Sequence, residues 1–199
     1  GVWRAAAEDA RQVAATRRQM LRTPPGGSWP DATVVLVYAG GYGGDEYTHA
    51  LRLFCDGAAR LPSLGFVFSP HPGYPSSYEA RLFRAWGCLS PPGSPSNLKV
   101  VDDSWGGLST AQLVAAANGS ISLYSTVGAQ SLAIGKPHVY VTDDYHNLFT
   151  RLGLIPTAQT AAELVQLLNV TLRAEGYAIG GDAMAAAGVP VNGTANQIA

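Results

Sequence analysis

The stretch VVLVYAGGYGG, which spans residues 34–44, decides the fold of this chain of 199 residues. Residues 34–38 form a continuous run of apolar, mostly β-branched side chains, which is typical of a strand covered on both faces in a parallel sheet. The glycines that follow let backbone N–H groups approach a ligand closely. A helix is predicted over residues 45–59, so the stretch contains a strand, a Gly-rich loop and the start of a helix.

Strands and helices alternate along most of the chain. Further strands are predicted at 64–68, 98–101, 121–124 and 138–141, and further helices at 3–22, 77–86, 109–117, 125–135 and 161–175. This order indicates βαβ units. It predicts an α/β fold with a doubly wound, mainly parallel Rossmann-like sheet and helices on both faces.

The chain divides into three predicted segments. Residues 1–30 form an N-terminal helical arm and linker, because the helix at 3–22 ends at a Pro-Pro-Gly-Gly run at 24–27. Residues 31–175 hold the strands and helices of the Rossmann-like domain. Residues 176–199 are rich in Gly and Ala and are predicted to be a C-terminal tail.

The charge balance argues against nucleic acid as a partner. The formal net charge is -1, charged residues are 14% of the chain, and no run rich in Lys or Arg occurs. The chain lacks an apolar stretch of roughly 18 residues, so no membrane span is predicted. The first residues do not form a signal peptide, which leaves both the cytoplasm and the lumen of the secretory pathway open.

The two cysteines and the paired aspartates are interpreted as structural. Cys55 and Cys88 lack the spacing of metal ligands. Two buried thiols are the favoured interpretation, and a disulfide is the alternative in an oxidising compartment. Two Asp-Asp pairs, at 102–103 and 143–144, each follow a strand, and a loop or capping role is favoured for both. No metal site is therefore predicted.

Three segments are expected to meet beyond the carboxyl ends of the strands, where ligands bind in open parallel sheets. The first segment contains four glycines, Gly40, Gly41, Gly43 and Gly44. The helix that begins after them offers unpaired N–H groups and about half a positive charge to an anion. A plain tight turn is the alternative, in which Asp45 and Glu46 simply complement the helix dipole.

The other two segments carry side chains that can bind phosphate. His71 lies between two prolines directly after a strand, and an imidazole can donate to a phosphate or act as an acid. Its alternative role is a histidine satisfied by loop carbonyls. Ser125 and Thr126 open a helix after another strand, and their hydroxyl and N–H groups can bind phosphate oxygens. Helix capping is the alternative for this pair, and the two roles are compatible.

The order of these segments resembles the C-terminal, donor-binding half of a GT-B glycosyltransferase. The resemblance covers residues 33–142 and rests on the Gly-rich loop, His71 with the proline after it, Ser125 with Thr126, and the Gly-Lys-Pro at 135–137. The His-Pro and Ser-Thr motifs are most similar to those of bacterial sialyltransferases, polysialyltransferases and glycerol-phosphate polymer transferases. In those enzymes, the two motifs contact the phosphate of a cytidine nucleotide.

The resemblance implies a role for each candidate residue. His71 would be the catalytic group at the donor phosphate, Ser125 and Thr126 would bind that phosphate, and the Gly-rich loop would face the donor. Gln130 would lie in the donor site, where many GT-B relatives carry a ribose-binding Glu. The partner would be a nucleotide-activated sugar, bound as a substrate with no cofactor. A second partner would be the N-terminal acceptor domain of such enzymes, which this chain lacks.

Three functions fit the sequence. The first is the donor-binding part of a metal-independent glycosyltransferase. The second is a non-catalytic Rossmann-like interaction module, because the fold alone does not fix a function. The third is half of a sugar-nucleotide epimerase, which shares the architecture but whose usual catalytic carboxylates are not evident in the sequence.

Overall fold

A six-stranded sheet forms the centre of the protein in the computed structural model. The structure describes residues 2–22, 28–41, 44–71, 73, 77–89, 96–123, 125–141 and 148–173. None of the helices in these ranges has the length and apolar character needed to cross a membrane. Over the same ranges, no three His, Cys, Asp or Glu side chains are grouped as a metal site would need.

The strands of this sheet all pair in parallel. They are β1 (Val35–Ala39), β2 (Gly65–Ser69), β3 (Leu98–Val100), β4 (Gly119–Ser122), β5 (His138–Val141) and β6 (Thr157–Ala158). Their order across the sheet is β3-β2-β1-β4-β5-β6, so the chain reverses its direction across the sheet between β3 and β4. The predicted doubly wound parallel sheet is confirmed. β6 was not predicted, because two residues are too few to show a periodic pattern.

Helices connect the strands and also precede them. They are α1 (Val2–Glu8), α2 (Ala10–Arg22), α3 (Asp45–Ala59), α4 (Ser77–Ala85), α5 (Thr110–Ala116), α6 (Thr126–Ala133), α7 (Leu148–Arg151) and α8 (Ala161–Arg173). The helix predicted at 3–22 is divided at Asp9. The Asp9 carboxylate accepts hydrogen bonds from the N–H groups of Arg11 (3.1 Å) and Gln12 (3.0 Å), which caps α2.

The sheet buries apolar side chains on both faces. Along β1, Leu36 and Tyr38 lie in the core on one face, and Val35 and Val37 lie in the core on the other. Residues of α3, α4 and α8 complete the first core, whereas residues of α2, α5 and α6 pack into the second. This double coverage explains why the strand at 34–38 is a continuous apolar run instead of an alternating one.

A buried lysine holds the end of α2 against the sheet. Lys99 of β3 has no exposed surface, and its Nζ donates to the carbonyl oxygens of Met20 (2.9 Å) and Leu21 (3.1 Å) at the end of α2. The same ammonium lies 4.1 Å from the ring centroid of Trp29. Burial lowers the pKa of Lys99 to about 8, because desolvation penalises its charged form. The last turn of α2 is therefore anchored to β3, and the predicted division into an arm and a domain stays a prediction.

The interpretation of Cys55 and Cys88 as two buried thiols is wrong. The two residues form a disulfide, with their Cα atoms 5.7 Å apart. Cys55 lies on α3, and Cys88 follows α4 on the same face of the sheet, where both pack against one apolar core. The packing of α3 beside α4 brings together two residues that are 33 positions apart, and the spacing alone did not reveal this.

Candidate functional site

The carboxyl ends of three strands reach the same rim of the sheet. Ala39, the last residue of β1, pairs with Ser69 at the end of β2 and with Ser122 at the end of β4. The loops that begin at Gly40, Pro70 and Leu123 therefore leave the sheet at one level. β1 and β4 are also the neighbours between which the strand order reverses, and such a switch point opens the crevice in which doubly wound sheets bind ligands.

A cavity of about 480 Å³ lies at this rim. The described residues that line it come from the three loops and the two helix starts: Ala39, Gly40, Gly41, Gly44, Asp45, Glu46, Tyr47, His71, Leu123, Ser125 and Thr126. Six candidate residues from the sequence are thus brought together. Gly43 lies outside the described residues. Gln130 is half-buried in α6 and does not line the cavity, so its contact with a donor stays a prediction.

Gly40 lets two loops approach each other closely. Its N–H donates to the Ser69 carbonyl oxygen at 2.8 Å. A Cβ added at Gly40 would lie 2.8 Å from the His71 nitrogen and 2.9 Å from that same Ser69 oxygen, both of which are backbone atoms. A side chain at position 40 would clash with the backbone that carries His71, which accounts for the glycine there.

We expect Gly40→Ala to lower the free energy of unfolding by about 1–3 kcal/mol, because the methyl group forces two backbone segments apart. Gly41→Ala is the matched control, since a Cβ there would meet only the Tyr47 ring at an ordinary 3.5 Å. Urea denaturation of the two variants measures the difference. Equal stability of Gly40→Ala and Gly41→Ala would contradict the close approach.

The start of α3 has no side-chain cap, and its first turn is acidic. Its N-cap, Gly44, has φ 127° and supplies no side-chain hydrogen bond to the first turn. That φ favours glycine, and the first N–H groups of a helix lack intrahelical acceptors. The next two residues are Asp45 and Glu46, which also line the cavity. Their carboxylates complement the dipole of α3, so this end of the cavity is less suited to an anion than the sequence alone indicated.

A hydrogen bond fixes the orientation of the His71 ring. The Gly73 N–H donates to His71 Nδ1 at 3.0 Å, so the acceptor nitrogen of the neutral ring faces the loop. The neutral tautomer compatible with this bond carries its proton on Nε2. His71 lines the cavity as an N–H donor, and donors of this kind suit phosphate oxygens.

Ser125 caps α6 and remains available to a ligand. Its Oγ accepts a hydrogen bond from the Val127 N–H at 3.2 Å, which confirms the capping role. Tyr140 Oη donates to the Ser125 carbonyl oxygen at 3.1 Å and anchors the same turn to β5. The Ser125 hydroxyl can still donate its own hydrogen, and α6 has no acidic residue in its first turn. This helix start therefore presents donors without a competing carboxylate.

Two residues beside the cavity were not singled out in the sequence. Tyr47 lines the cavity, and its hydroxyl donates to Oε1 of Glu79 at 2.9 Å. Glu79 has no exposed surface, and no described residue partners its Oε2. Burial raises the pKa of Glu79, and burial together with the nearby Glu79 charge raises the pKa of Tyr47. The Tyr47–Glu79 hydrogen bond links the cavity lining to α4. The sequence does not predict this contact, because it depends on how α4 packs beside α3.

Comparisons with known proteins place this fold. No family model and no curated protein sequence matches the chain. In structure, the chain is similar to the C-terminal CMP-Kdo binding domain of WaaA from Acinetobacter baumannii, with 14% identity and a TM-score of 0.55 over 85% of this chain and 90% of that domain. The chain has the fold of a GT-B donor-binding domain. The predicted likeness to sialyltransferases and polysialyltransferases in particular stays a prediction.

Two further solved structures share this GT-B fold. The UDP-GlcNAc 2-epimerase of Methanocaldococcus jannaschii, in complex with UDP-GlcNAc and UDP, matches 92% of this chain with a TM-score of 0.58 and 12% identity. The wall teichoic acid polymerase TagF matches 90% of the chain with a TM-score of 0.52 and 15% identity. This GT-B-like chain spans 50% of the epimerase and 42% of TagF. The fold thus occurs as one half of both classes of enzyme, and it does not separate them.

Proposed function

We propose that this GT-B-like chain is the donor-binding domain of a glycosyltransferase and that it binds a nucleotide-activated sugar through its phosphates. The observation that carries the proposal is that the described residues of the Gly-rich loop, His71 and the Ser125–Thr126 helix start line the same cavity. These groups belong to three separate loops, and the sheet register brings them together at the switch point where such folds bind nucleotides.

The chemistry of the cavity suits a phosphate leaving group. Transfer of a sugar from its nucleotide leaves negative charge on the departing phosphate oxygens. His71 Nε2–H and the hydroxyl groups of Ser125 and Thr126 are donors that already lie at the cavity before that charge develops. Oriented donors stabilise developing charge without a reorganisation cost at the moment of reaction. The acceptor and a catalytic base would come from a second domain.

We expect His71→Ala to weaken nucleotide binding at least about tenfold, since the variant loses a hydrogen bond to a charged oxygen. CMP, CDP, UDP and GDP are titrated, and thermal stability is followed. A ligand at 100 times its dissociation constant adds about 2.7 kcal/mol to the stability of the native protein. His49→Ala is the control, because His49 is an exposed histidine of α3 that does not line the cavity.

The same titration separates this proposal from a non-catalytic interaction module. A thermal shift with one of the nucleotides, lost in His71→Ala and kept in His49→Ala, supports donor binding at the cavity. No shift with any of the four nucleotides supports the module. A shift that both variants retain places the nucleotide elsewhere on the chain and contradicts the role of His71.

A further inference from the structure

Tyr38, Tyr47 and Glu79 form a buried polar cluster beside the cavity. Glu79 of α4 has no exposed surface, and its Oε1 accepts the hydrogen bond from Tyr47 Oη at 2.9 Å. No described residue partners Glu79 Oε2 or the hydroxyl of Tyr38, which is also fully buried. Burial, together with the charge of Glu79, raises the pKa of both tyrosines, so the three groups lie within electrostatic range of one another.

Folding alone does not account for the carboxyl group in this cluster. Burial of a carboxyl group costs free energy unless hydrogen bonds compensate for it, and one of the two Glu79 oxygens has no partner among the described residues. An apolar side chain of similar size would fill the same space without that cost. A buried titratable group with a perturbed pKa beside a ligand cavity is instead typical of a functional site.

Tyr47 connects this carboxyl group to the Gly-rich loop. The backbone of Gly41 forms a hydrogen bond to the Tyr47 hydroxyl. A Cβ added at Gly41 would lie 3.5 Å from the Tyr47 ring, so Gly41 packs directly against that ring. Gly41 and Tyr47 both line the cavity. A chain of hydrogen bonds therefore runs from Glu79 on α4, through Tyr47 on α3, to the backbone of the loop at the cavity.

We propose that Glu79 is a positioning residue, which holds Gly41 in place for donor binding by fixing the hydroxyl of Tyr47. The inference rests on the proposed function, because it takes the Gly-rich loop to face a bound donor. A phenol hydroxyl that donates its hydrogen to Glu79 can offer only a lone pair to the Gly41 N–H. The acceptor on α4 consequently decides which way the Tyr47 hydroxyl points. Without it, the hydroxyl can rotate, and Gly41 loses a fixed partner.

Three variants separate this role from a merely structural one. Glu79→Gln keeps a carbonyl oxygen for the Tyr47 hydroxyl, Glu79→Leu removes the acceptor, and Tyr47→Phe keeps the ring without its hydroxyl. Val114→Ala is the control for lost stability, because Val114 is buried in the core on the other face of the sheet. Each variant is measured by urea denaturation, by hydrogen exchange of the Gly41 amide and by calorimetric titration with CMP, CDP, UDP and GDP.

We expect Glu79→Leu and Tyr47→Phe to speed exchange of the Gly41 amide and to weaken nucleotide binding, each by a factor on the order of ten, since one hydrogen bond is lost. Glu79→Gln should stay within a factor of about three of the wild type in both measurements, because its carbonyl oxygen replaces the acceptor. Val114→Ala should lower the urea midpoint and leave nucleotide affinity unchanged.

Two results would overturn the positioning role while nucleotide binding stands. The first is wild-type affinity in Glu79→Leu. The second is an equal loss of affinity in Glu79→Leu and Glu79→Gln, which would mean that the charge of Glu79 acts without the hydrogen bond to Tyr47. Failure of every nucleotide to bind the wild type would overturn the proposed function, and the role of Glu79 in donor binding with it.

Discussion

Removal of the Cys55–Cys88 disulfide is expected to lower the free energy of unfolding by about 3–4 kcal/mol. The bond closes a loop between residues 33 positions apart, and its loss returns that conformational freedom to the unfolded chain. It also joins α3, which carries Tyr47, to the segment that directly follows α4, the helix that carries Glu79. We therefore expect the cavity to loosen together with the fold when the bond is absent.

Urea denaturation with and without a reductant measures this contribution. The wild-type midpoint should fall in the reductant, and the Cys55→Ala/Cys88→Ala variant should show the lower midpoint under both conditions. The variant therefore separates loss of the bond from any other effect of the reductant. A wild-type midpoint that does not change in the reductant would mean that the two thiols remain unpaired in solution.

Acid should destabilise the protein through His138, by about 3 kcal/mol between pH 7 and pH 4. His138 of β5 has no exposed surface, and burial lowers its pKa to about 3. Its Nδ1 lies 2.7 Å from Ser120 Oγ, its Nε2 lies 3.0 Å from Ser122 Oγ, and Ser120 Oγ lies 2.6 Å from Ser131 Oγ. The ring is therefore held neutral among hydroxyl groups.

The direction of this pH dependence follows from proton binding. Below about pH 6.5, the unfolded chain binds a proton at His138, and the folded protein does not bind it until the pH nears 3. The contribution of neutral His138 to stability is consequently complete above about pH 6.5. It is lost progressively as the pH is lowered from about 6.5 to about 3. His138→Gln has no titrating group at this position and keeps an amide for the serines, so its loss of stability between pH 7 and pH 4 should be smaller by the stated amount. Parallel pH profiles for wild type and variant would show that His138 does not carry the effect.

This buried cluster also shapes the candidate site. Ser131 belongs to α6, and a Cβ added at Gly128 of the same helix would lie 2.9 Å from the His138 ring. Gly128 thus lets α6 approach β5 closely, and the hydroxyl contacts fix the position of the helix. The Ser125 turn at the head of α6 is positioned by these contacts, although none of them lies in the cavity lining.

The sequence determined the fold class and the loops that form the rim. The apolar run at 34–38, the glycines after it and the alternation of strands with helices predicted a parallel sheet, which the structure confirms. Ser125 was predicted as a cap for α6, and it caps that helix. These features depend on residues close together in the chain, and local patterns of side chains and turn residues report on them.

Only the tertiary structure decided which distant residues meet. The Cys55–Cys88 disulfide, the Tyr47–Glu79 hydrogen bond and the contact of Lys99 with the end of α2 each join segments that no spacing relates. The charge contrast between the starts of α3 and α6 likewise has meaning only because both line one cavity. Such contacts depend on how helices pack across the two faces of the sheet, and periodicity shows that a face is apolar without showing which partner covers it.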